Sequence, residues 1–191
     1  MGRATDLEPT LRKILRDIKV EASSEFDRNF TRQGFFSSAW ARHKKGSPYE
    51  GGHILLKSGQ LRRNIRSRSD SRSITFSSDL PYAVIHNQGG KIKVTRKMKS
   101  YFWARYYQAT GSFVRRKNGE LSRSKKQLRL SSEAEFWKAM ALMKVGSEIT
   151  IPQRKFLGNS PELKASVKQI IEDNIEEYCK GIAEELQEKK V

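Results

Sequence analysis

Residues 160–187 read SPELKASVKQIIEDNIEEYCKGIAEELQ and contain the clearest structural signal in the chain. Ser160 is a good helix N-cap, Pro161 suits the first helical position, and Glu162 lies near the positive end of the helix dipole. The apolar residues then recur every three or four positions, which predicts a long amphipathic helix. They are Leu163, Val167, Ile170, Ile171, Ile175, Tyr178, Ile182 and Leu186. Such a helix needs a partner along its apolar side, which the N-terminal helix, a sheet or another subunit would provide.

A second amphipathic helix is predicted from residue 9 to about residue 32, before Gly34. Thr5 and Glu8 have the spacing of a capping box and Pro9 suits a first turn, so the helix starts between residues 6 and 9. Its apolar positions are Leu11, Ile14, Leu15, Ile18, Ala22, Phe26 and Phe30. Two long helices therefore flank the rest of the chain.

The region after the first helix predicts short elements joined by turns. Residues 34–52 are rich in glycine and indicate an ordered loop, with Trp40 filling the edge of the core. Ser58 can cap a helical turn that buries Leu61. Further elements follow in order: a hairpin at 64–69 and 73–78, a helix at 82–86 ended by Gly89 and Gly90, and a strand at 91–94.

Within residues 91–148, the sequence predicts two helices with a hairpin between them. Thr95 caps a helix to about Ala109 whose wide aromatic face indicates core packing. Asn118-Gly119 is a strong hairpin signal between two basic strands, and we expect residues 110–131 to form a projecting or mobile basic arm. Ser132 and Glu135 form a second capping-box pattern that predicts the start of a helix, which ends at Gly146. A strand at 149–151 follows.

The net charge of +17 is concentrated in the centre of the chain. Residues 34–161 hold 26 Lys and Arg against seven Asp and Glu, whereas residues 1–33 hold seven against six and residues 162–191 five against eight. A basic centre between near-neutral ends indicates a surface that faces a polyanion. The alternative is a set of solvated cations that only cover a small domain.

Length and apolar content limit the architecture. With 191 residues and 36% apolar residues, we expect one domain over residues 1–191, of the α+β class. No apolar run approaches the roughly 20 residues of a membrane helix, and no secretory signal segment follows Met1. We therefore expect a soluble protein made inside a cell, without membrane contact.

Catalytic and metal-binding patterns are absent from the sequence. The single cysteine excludes a disulfide framework, and no histidine has ligand spacing to another histidine or an acid. Glu133 and Glu135 lie close together, but the start of a helix explains them. His86 lies at a predicted helix end, and we favour a structural role for it over a general base. We predict no enzyme activity, cofactor, metal or small-molecule substrate; a nuclease using central carboxylates is the alternative enzymatic hypothesis.

Four stretches, taken in order, resemble one family. They are residues 34–40, 54–61 with Ile65 after them, 81–90 and 151–158, and together they resemble the phage virion morphogenesis family, the tail completion proteins of Mu-like and related phages and prophages. The resemblance implies long N- and C-terminal helices packed on a small, mostly antiparallel sheet. Residues 91–148 depart from the family pattern because this segment is longer than expected between the last two stretches, and we interpret it as an insertion. The resemblance also implies structural anchors rather than a catalytic site. These anchors are Trp40, Ser58, Gly59, Leu61, Tyr82, His86, Gly89, Gly90, Pro152, Arg154, Phe156 and Gly158.

The resemblance further implies a non-enzymatic role in tail completion or head–tail joining. Other phage tail or neck proteins are then the partners, and a homo-oligomer such as a ring of six subunits is expected, first in the host cytoplasm and then in the virion. A basic cluster would contact DNA or an acidic partner through charge alone. Its members are Arg115, Arg116, Lys117, Arg123, Lys125, Lys126 and Arg129. The alternative is a free-standing nucleic-acid-binding module that stacks bases on Tyr101, Phe102, Trp103, Tyr106 and Tyr107.

Overall fold

A computed structural model describes residues 7–188, which form six helices and six short strands. The helices are α1 (Leu7–Arg32), α2 (Gln60–Arg63), α3 (Ala83–Gln88), α4 (Arg96–Gly111), α5 (Lys125–Leu142) and α6 (Pro161–Glu188). The strands are β1 (Gly34–Phe35), β2 (Ser38–Ala39), β3 (Ile65–Ser69), β4 (Ile74–Ser78), β5 (Gly90–Lys93) and β6 (Glu148–Ile151). They pair as three two-stranded antiparallel sheets, β1–β2, β3–β4 and β5–β6. The predicted α+β class, with long first and last helices, is confirmed.

Local capping explains why the predicted helices start where they do. The Ser160 hydroxyl accepts a hydrogen bond from the Leu163 amide at 3.0 Å at the start of α6. Thr95 accepts one from the Met98 amide at 3.2 Å at the start of α4. α1 begins at Leu7, inside the predicted interval. The expected cap at Thr5 lies outside the described residues.

Two helix starts differ from the prediction. α5 begins at Lys125, seven residues before Ser132, and the Ser124 hydroxyl caps it by accepting from the Gln127 amide at 3.2 Å. The predicted start at Ser132 was wrong because the Ser132–Glu135 pattern lies inside a helix that already has an N-cap. Gly59 rather than Ser58 is the N-cap of α2, with φ of +66°, a conformation that favours glycine.

The chain divides into two compact units that are each discontinuous in sequence. Among the described residues, unit 1 holds 7–40, 58–83 and 154–188, and unit 2 holds 41–57 and 84–153. The expectation of one domain over 1–191 stays a prediction.

Unit 1 is built on the antiparallel pair of α1 and α6. An ion pair of 2.5 Å between Lys13 Nζ and Glu177 Oε2 lies at one end of this pair. Phe26 and Leu163 are buried in one cluster at the other end. The β3–β4 hairpin covers that cluster through Phe76, whose ring centroid lies 4.9 Å from that of Phe26. The strands therefore pack where α1 ends and α6 begins.

Unit 2 is built on the antiparallel pair of α4 and α5. Phe102 and Trp137 stack with centroids 5.9 Å apart in its core. At one end, the buried Gln127 accepts the Val114 amide at 2.7 Å. At the other end, the Val94 amide donates to the Ser147 carbonyl at 2.8 Å, beside the β5–β6 sheet. These contacts fix which residues share each end of unit 2.

Candidate polyanion and partner surfaces

The positive charge of the protein belongs mainly to unit 2. The sequence of unit 2 contains 19 Lys and Arg against five Asp and Glu, whereas the rest of the chain contains 19 against 16. A surface with this excess attracts anions over distances comparable to the Debye length. The sequence showed that the charge lies in the centre of the chain. It did not show that most of this charge belongs to one structural unit.

The seven predicted basic residues, which we call the hairpin cluster, lie at the end of unit 2 where α4 ends and α5 begins. The chain forms the expected tight hairpin there: the Arg116 amide donates to the Glu120 carbonyl at 2.7 Å, and Gly119 has a φ of +82°. Three of the seven lie on the hairpin, one lies between hairpin and helix, and three lie on the first turns of α5. They are Arg115, Arg116, Lys117, Arg123, Lys125, Lys126 and Arg129.

All seven side chains of the hairpin cluster are exposed. None of them forms an ion pair with another residue of the range 7–188. Arg115 donates from Nη1 to the Gly119 carbonyl at 3.0 Å and so supports the turn. The structure brings the predicted cluster together, and its projection from the body stays a prediction.

The opposite end of unit 2 carries a second set of cations that the sequence interpretation did not single out. We call it the α4-start cluster: Lys93, Arg96, Lys97, Lys99 and Lys144. Lys144 joins the others because the Gly146 amide donates to the Val94 carbonyl at 2.9 Å. Nearby Lys91 is neutralised by Glu148 at 2.8 Å. The sequence contained a signal for this cluster, since five of the nine residues at positions 91–99 are basic.

The two long helices of unit 2, α4 and α5, begin with cations and without an acid. The first turns of α4 and α5 contain no Asp or Glu. Lys125 and Lys126 open α5, and Arg96 and Lys97 open α4. A helix start is the positive end of the dipole, so anions are favoured there and cations are not. Each end therefore gains stability when negative charge from outside approaches it.

The aromatic residues of α4 divide between core and surface. Phe102 is buried against Trp137, which agrees with core packing. Trp103 stacks on Tyr107 with centroids 5.9 Å apart and is half-buried with Tyr106. Only the outer rings, Tyr101 at 52% and Tyr107 at 65% exposure, present large surfaces to solvent. A base-stacking surface on α4 is thus limited to these two rings.

The anchor residues form parts of both units. In unit 1 the Trp40 indole donates to the Lys155 carbonyl at 2.6 Å, and its ring packs 5.5 Å from that of Phe30. The ring centroid of Phe156 lies 5.7 Å from that of Phe30. Leu61 is also buried. These residues are held by packing and hydrogen bonds in the core of unit 1, and their role as family anchors stays a prediction.

Backbone geometry in unit 2 explains why one anchor, Gly89, is a glycine. Gly89 has a φ of +71°, and a Cβ there would lie 2.9 Å from the Gln153 amide nitrogen. Gln153 also donates from its side chain to the Asn87 carbonyl at 3.1 Å. Two of the stretches that carried the family resemblance are therefore packed directly against each other.

The remaining anchors are more exposed or more polar. Tyr82 is 37% exposed and its hydroxyl lies 3.4 Å from Gln60 Oε1, while His86 is half-buried at the end of α3. Burial lowers the pKa of the Arg154 guanidinium from its usual value. The others are Ser58 and Gly59 before α2, Gly90 in β5, Pro152 after β6, and Gly158 before α6.

The described part of the chain contains no group of three or more His, Cys, Asp or Glu side chains suited to hold a metal ion. Glu133, a carboxylate that the nuclease hypothesis would use, accepts from the Trp137 indole at 3.1 Å and lies 3.5 Å from Arg105. Across residues 7–188, no helix has the length and apolar character to cross a bilayer.

Comparison with known proteins gives one match. The sequence profile of the phage virion morphogenesis family matches residues 1–176. No curated protein and no solved structure matches the chain. The matched range includes the insertion at 91–148 and most of the last helix.

Proposed function

Because the chain belongs to the phage virion morphogenesis family, we propose that it is a non-enzymatic structural subunit acting in tail completion or head–tail joining. The family membership supports a role in building the phage particle and interaction with other virion proteins. The protein is made in the host cytoplasm and incorporated into the tail or neck of the virion.

One observation carries the proposal: the hairpin cluster presents seven exposed cations that have no acidic partner among residues 7–188. Such a surface meets a polyanion through charge and without reading base sequence. In a ring of subunits, such as a hexamer, hairpins that point inward would line a positive channel for DNA at the head–tail junction. An acidic surface of a neighbouring virion protein would satisfy the same cations.

Particle assembly tests this role. A phage or prophage lacking the gene is expected to produce heads and tails that do not join, or tails that are incomplete, when lysates are viewed by electron microscopy. Complementation with the wild-type gene restores infectious titre. Normal titres of complete particles from the deletion strain would refute the role.

A free-standing nucleic-acid-binding module is the second candidate, because Tyr101 and Tyr107 are exposed on a basic unit. Such a module binds DNA at micromolar concentration or tighter at physiological salt, with a steep salt dependence. It would also be dispensable for particle formation. Salt-titrated binding by the purified protein, combined with the deletion strain, separates the two candidates.

A further inference from the structure

The C-terminal part of α6 has an apolar side that its own unit leaves partly exposed. Near its start, Leu163 is buried and Val167 packs against the same core. Further along, Ile175 is 45% and Leu186 is 57% exposed. Residues 171, 175, 178, 182 and 186 follow helical spacing on one side, over about 22 Å at 1.5 Å per residue.

Acids flank this apolar side. Residues 172–188 contain seven Asp and Glu and a single cation, Lys180, which pairs with Glu176 at 2.6 Å. Glu184, Glu185 and Glu188 form no ion pair with any other described residue. The surface is therefore apolar along its centre and negative at its edges, which is typical of one side of a specific protein contact.

The α4-start end of unit 2 has the complementary character. Leu142 is 62%, Val145 54%, Tyr101 52% and Ile92 38% exposed at this end. The α4-start cluster supplies five cations at the same end, and the hydrogen bonds between Val94 and the 146–147 turn hold the two segments together. We call these apolar residues and cations the α4-start patch.

We propose that the C-terminal half of α6 docks on the α4-start patch of a second copy of this chain. Apolar side chains meet apolar side chains, and the acidic edges of one copy face the cations of the other. The proposal deepens the proposed homo-oligomer by naming its two contact surfaces.

Charge also determines the symmetry of the contact. Docking α6 on α6 would oppose two sets of seven acids, and docking the α4-start patch on itself would oppose two sets of cations. Like charges at an interface are strongly unfavourable. The contact therefore joins two different surfaces, and repetition of such a head-to-tail contact closes into a ring when the rotation permits.

The hairpin cluster is the competing acceptor, since Leu128, Val114 and Leu121 are also exposed at that end. The hairpin end has seven cations and these three exposed apolar residues, whereas the α4-start patch has four exposed apolar residues. The α4-start patch is held by the four paired residues of the β5–β6 sheet, whereas the hairpin has one β-bridge, between Arg115 and Leu121, and the backbone hydrogen bonds of its turn. A preorganised surface loses less entropy on docking, which favours the α4-start patch.

Two variants test the contact in the full-length protein. The donor variant carries Ile175→Asp and Leu186→Asp, and the acceptor variant carries Leu142→Asp and Val145→Asp. Sedimentation velocity of the wild type is expected to show self-association that weakens at high salt. Each variant is expected to raise the self-association Kd by at least about tenfold, or 1.4 kcal/mol.

Mixing the two variants gives the decisive result. The donor variant keeps an intact acceptor surface and the acceptor variant an intact donor surface, so the mixture is expected to form a 1:1 dimer that grows no further. The matched control, Leu128→Asp with Val114→Asp at the hairpin end, is expected to associate like the wild type. A monomeric wild type at about 100 μM in low salt, or a mixture without dimer, would overturn the proposal.

Cys179 provides an independent readout because it is the single cysteine of the chain and is exposed on α6. A photoreactive maleimide on Cys179 is expected to cross-link to residues 91–101 or 142–148 of another copy. Cross-links to residues 113–129 or to another α6 would refute the assignment. These assays use purified protein alone, so their failure is distinct from normal assembly in the deletion strain, which would refute the proposed function.

Discussion

Removing charge from the hairpin cluster should change how DNA binding depends on salt. The perturbation is the triple substitution Arg116→Gln, Lys117→Gln and Arg123→Gln. These side chains are exposed and make no hydrogen bond or ion pair within the described range. Arg115 is retained because it donates to the Gly119 carbonyl and supports the turn. The fold should therefore be unaffected.

The expected magnitude follows from counterion release. Each phosphate contact contributes about −0.9 to the slope of log K against log salt on duplex DNA. If the three side chains each contact a phosphate, the slope becomes about 2.7 less steep. At 0.15 M salt the same relation lowers the affinity by roughly a hundredfold, with no dependence on DNA sequence.

Fluorescence anisotropy with a short labelled duplex at several salt concentrations measures this slope. The control replaces Arg66, Arg68 and Arg72, which lie on or beside the β3–β4 hairpin of unit 1, with Gln. It removes the same net charge and is expected to leave the slope close to the wild-type value. Equal changes in both triple variants would refute the reasoning, because total charge and not the hairpin cluster would then determine binding.

Three further predictions concern stability and are measured by urea denaturation. Trp40→Phe should lower the free energy of unfolding by about 1–3 kcal/mol, because the Lys155 carbonyl loses its hydrogen-bond donor. A single hydrogen bond contributes at least about 0.5 kcal/mol, so a smaller loss would contradict this prediction. Gly89→Ala should cost at least about 1 kcal/mol because of its positive φ and the contact with Gln153, whereas Gly111→Ala, with open space around it, should be tolerated. Burial opposes ionisation of Glu25, but hydrogen bonds from two arginines outweigh it, so its pKa lies below the usual value. The stabilisation is then present above the unfolded pKa and is lost as the pH falls through the folded one, so the difference between wild type and Glu25→Gln should shrink below about pH 4; a pH-independent difference would exclude this role.

The elements that the sequence predicted well are those fixed by local chemistry. Ser160 and Thr95 accept hydrogen bonds from amides three residues ahead, as their positions before apolar periodic segments indicated. The glycines at 89 and 90 end α3 because their positive φ values leave the helical path. Such signals need only a few neighbouring residues, so a sequence suffices to read them.

The start of α5 shows where local patterns fail. Ser124 and Ser132 both have the chemistry of an N-cap, and Ser132 has the better sequence pattern because Glu135 follows it. The earlier start is favoured by a contact outside the helix: the buried Gln127 side chain accepts the amide of Val114. That contact depends on the antiparallel packing of α4 and α5, which no local pattern encodes.

The candidate surfaces were predictable in charge but not in arrangement. The sequence identified the hairpin cluster because its cations are close together along the chain. The α4-start cluster needed Lys144 to be brought to Lys93 and Arg96 by the pairing of Val94 with the 146–147 turn. Likewise, the apolar periodicity of α6 was evident, but only the structure shows that Ile175 and Leu186 lie beyond the core of unit 1.

The charges at the helix starts agree with the proposal that the cations of unit 2 contact external partners. α1 and α6 of unit 1 have an acid in the first turn, Glu8 and Glu162, and Glu162 also accepts from the Ser37 hydroxyl at 2.6 Å. α4 and α5 of unit 2 have none, and cations stand in their first turns against the dipole. If these helices served only the fold, acids would be favoured at both starts, as they are in α1 and α6. The reversed charges are explained when negative groups from a neighbouring subunit and from a polyanion occupy the two ends in the assembled particle.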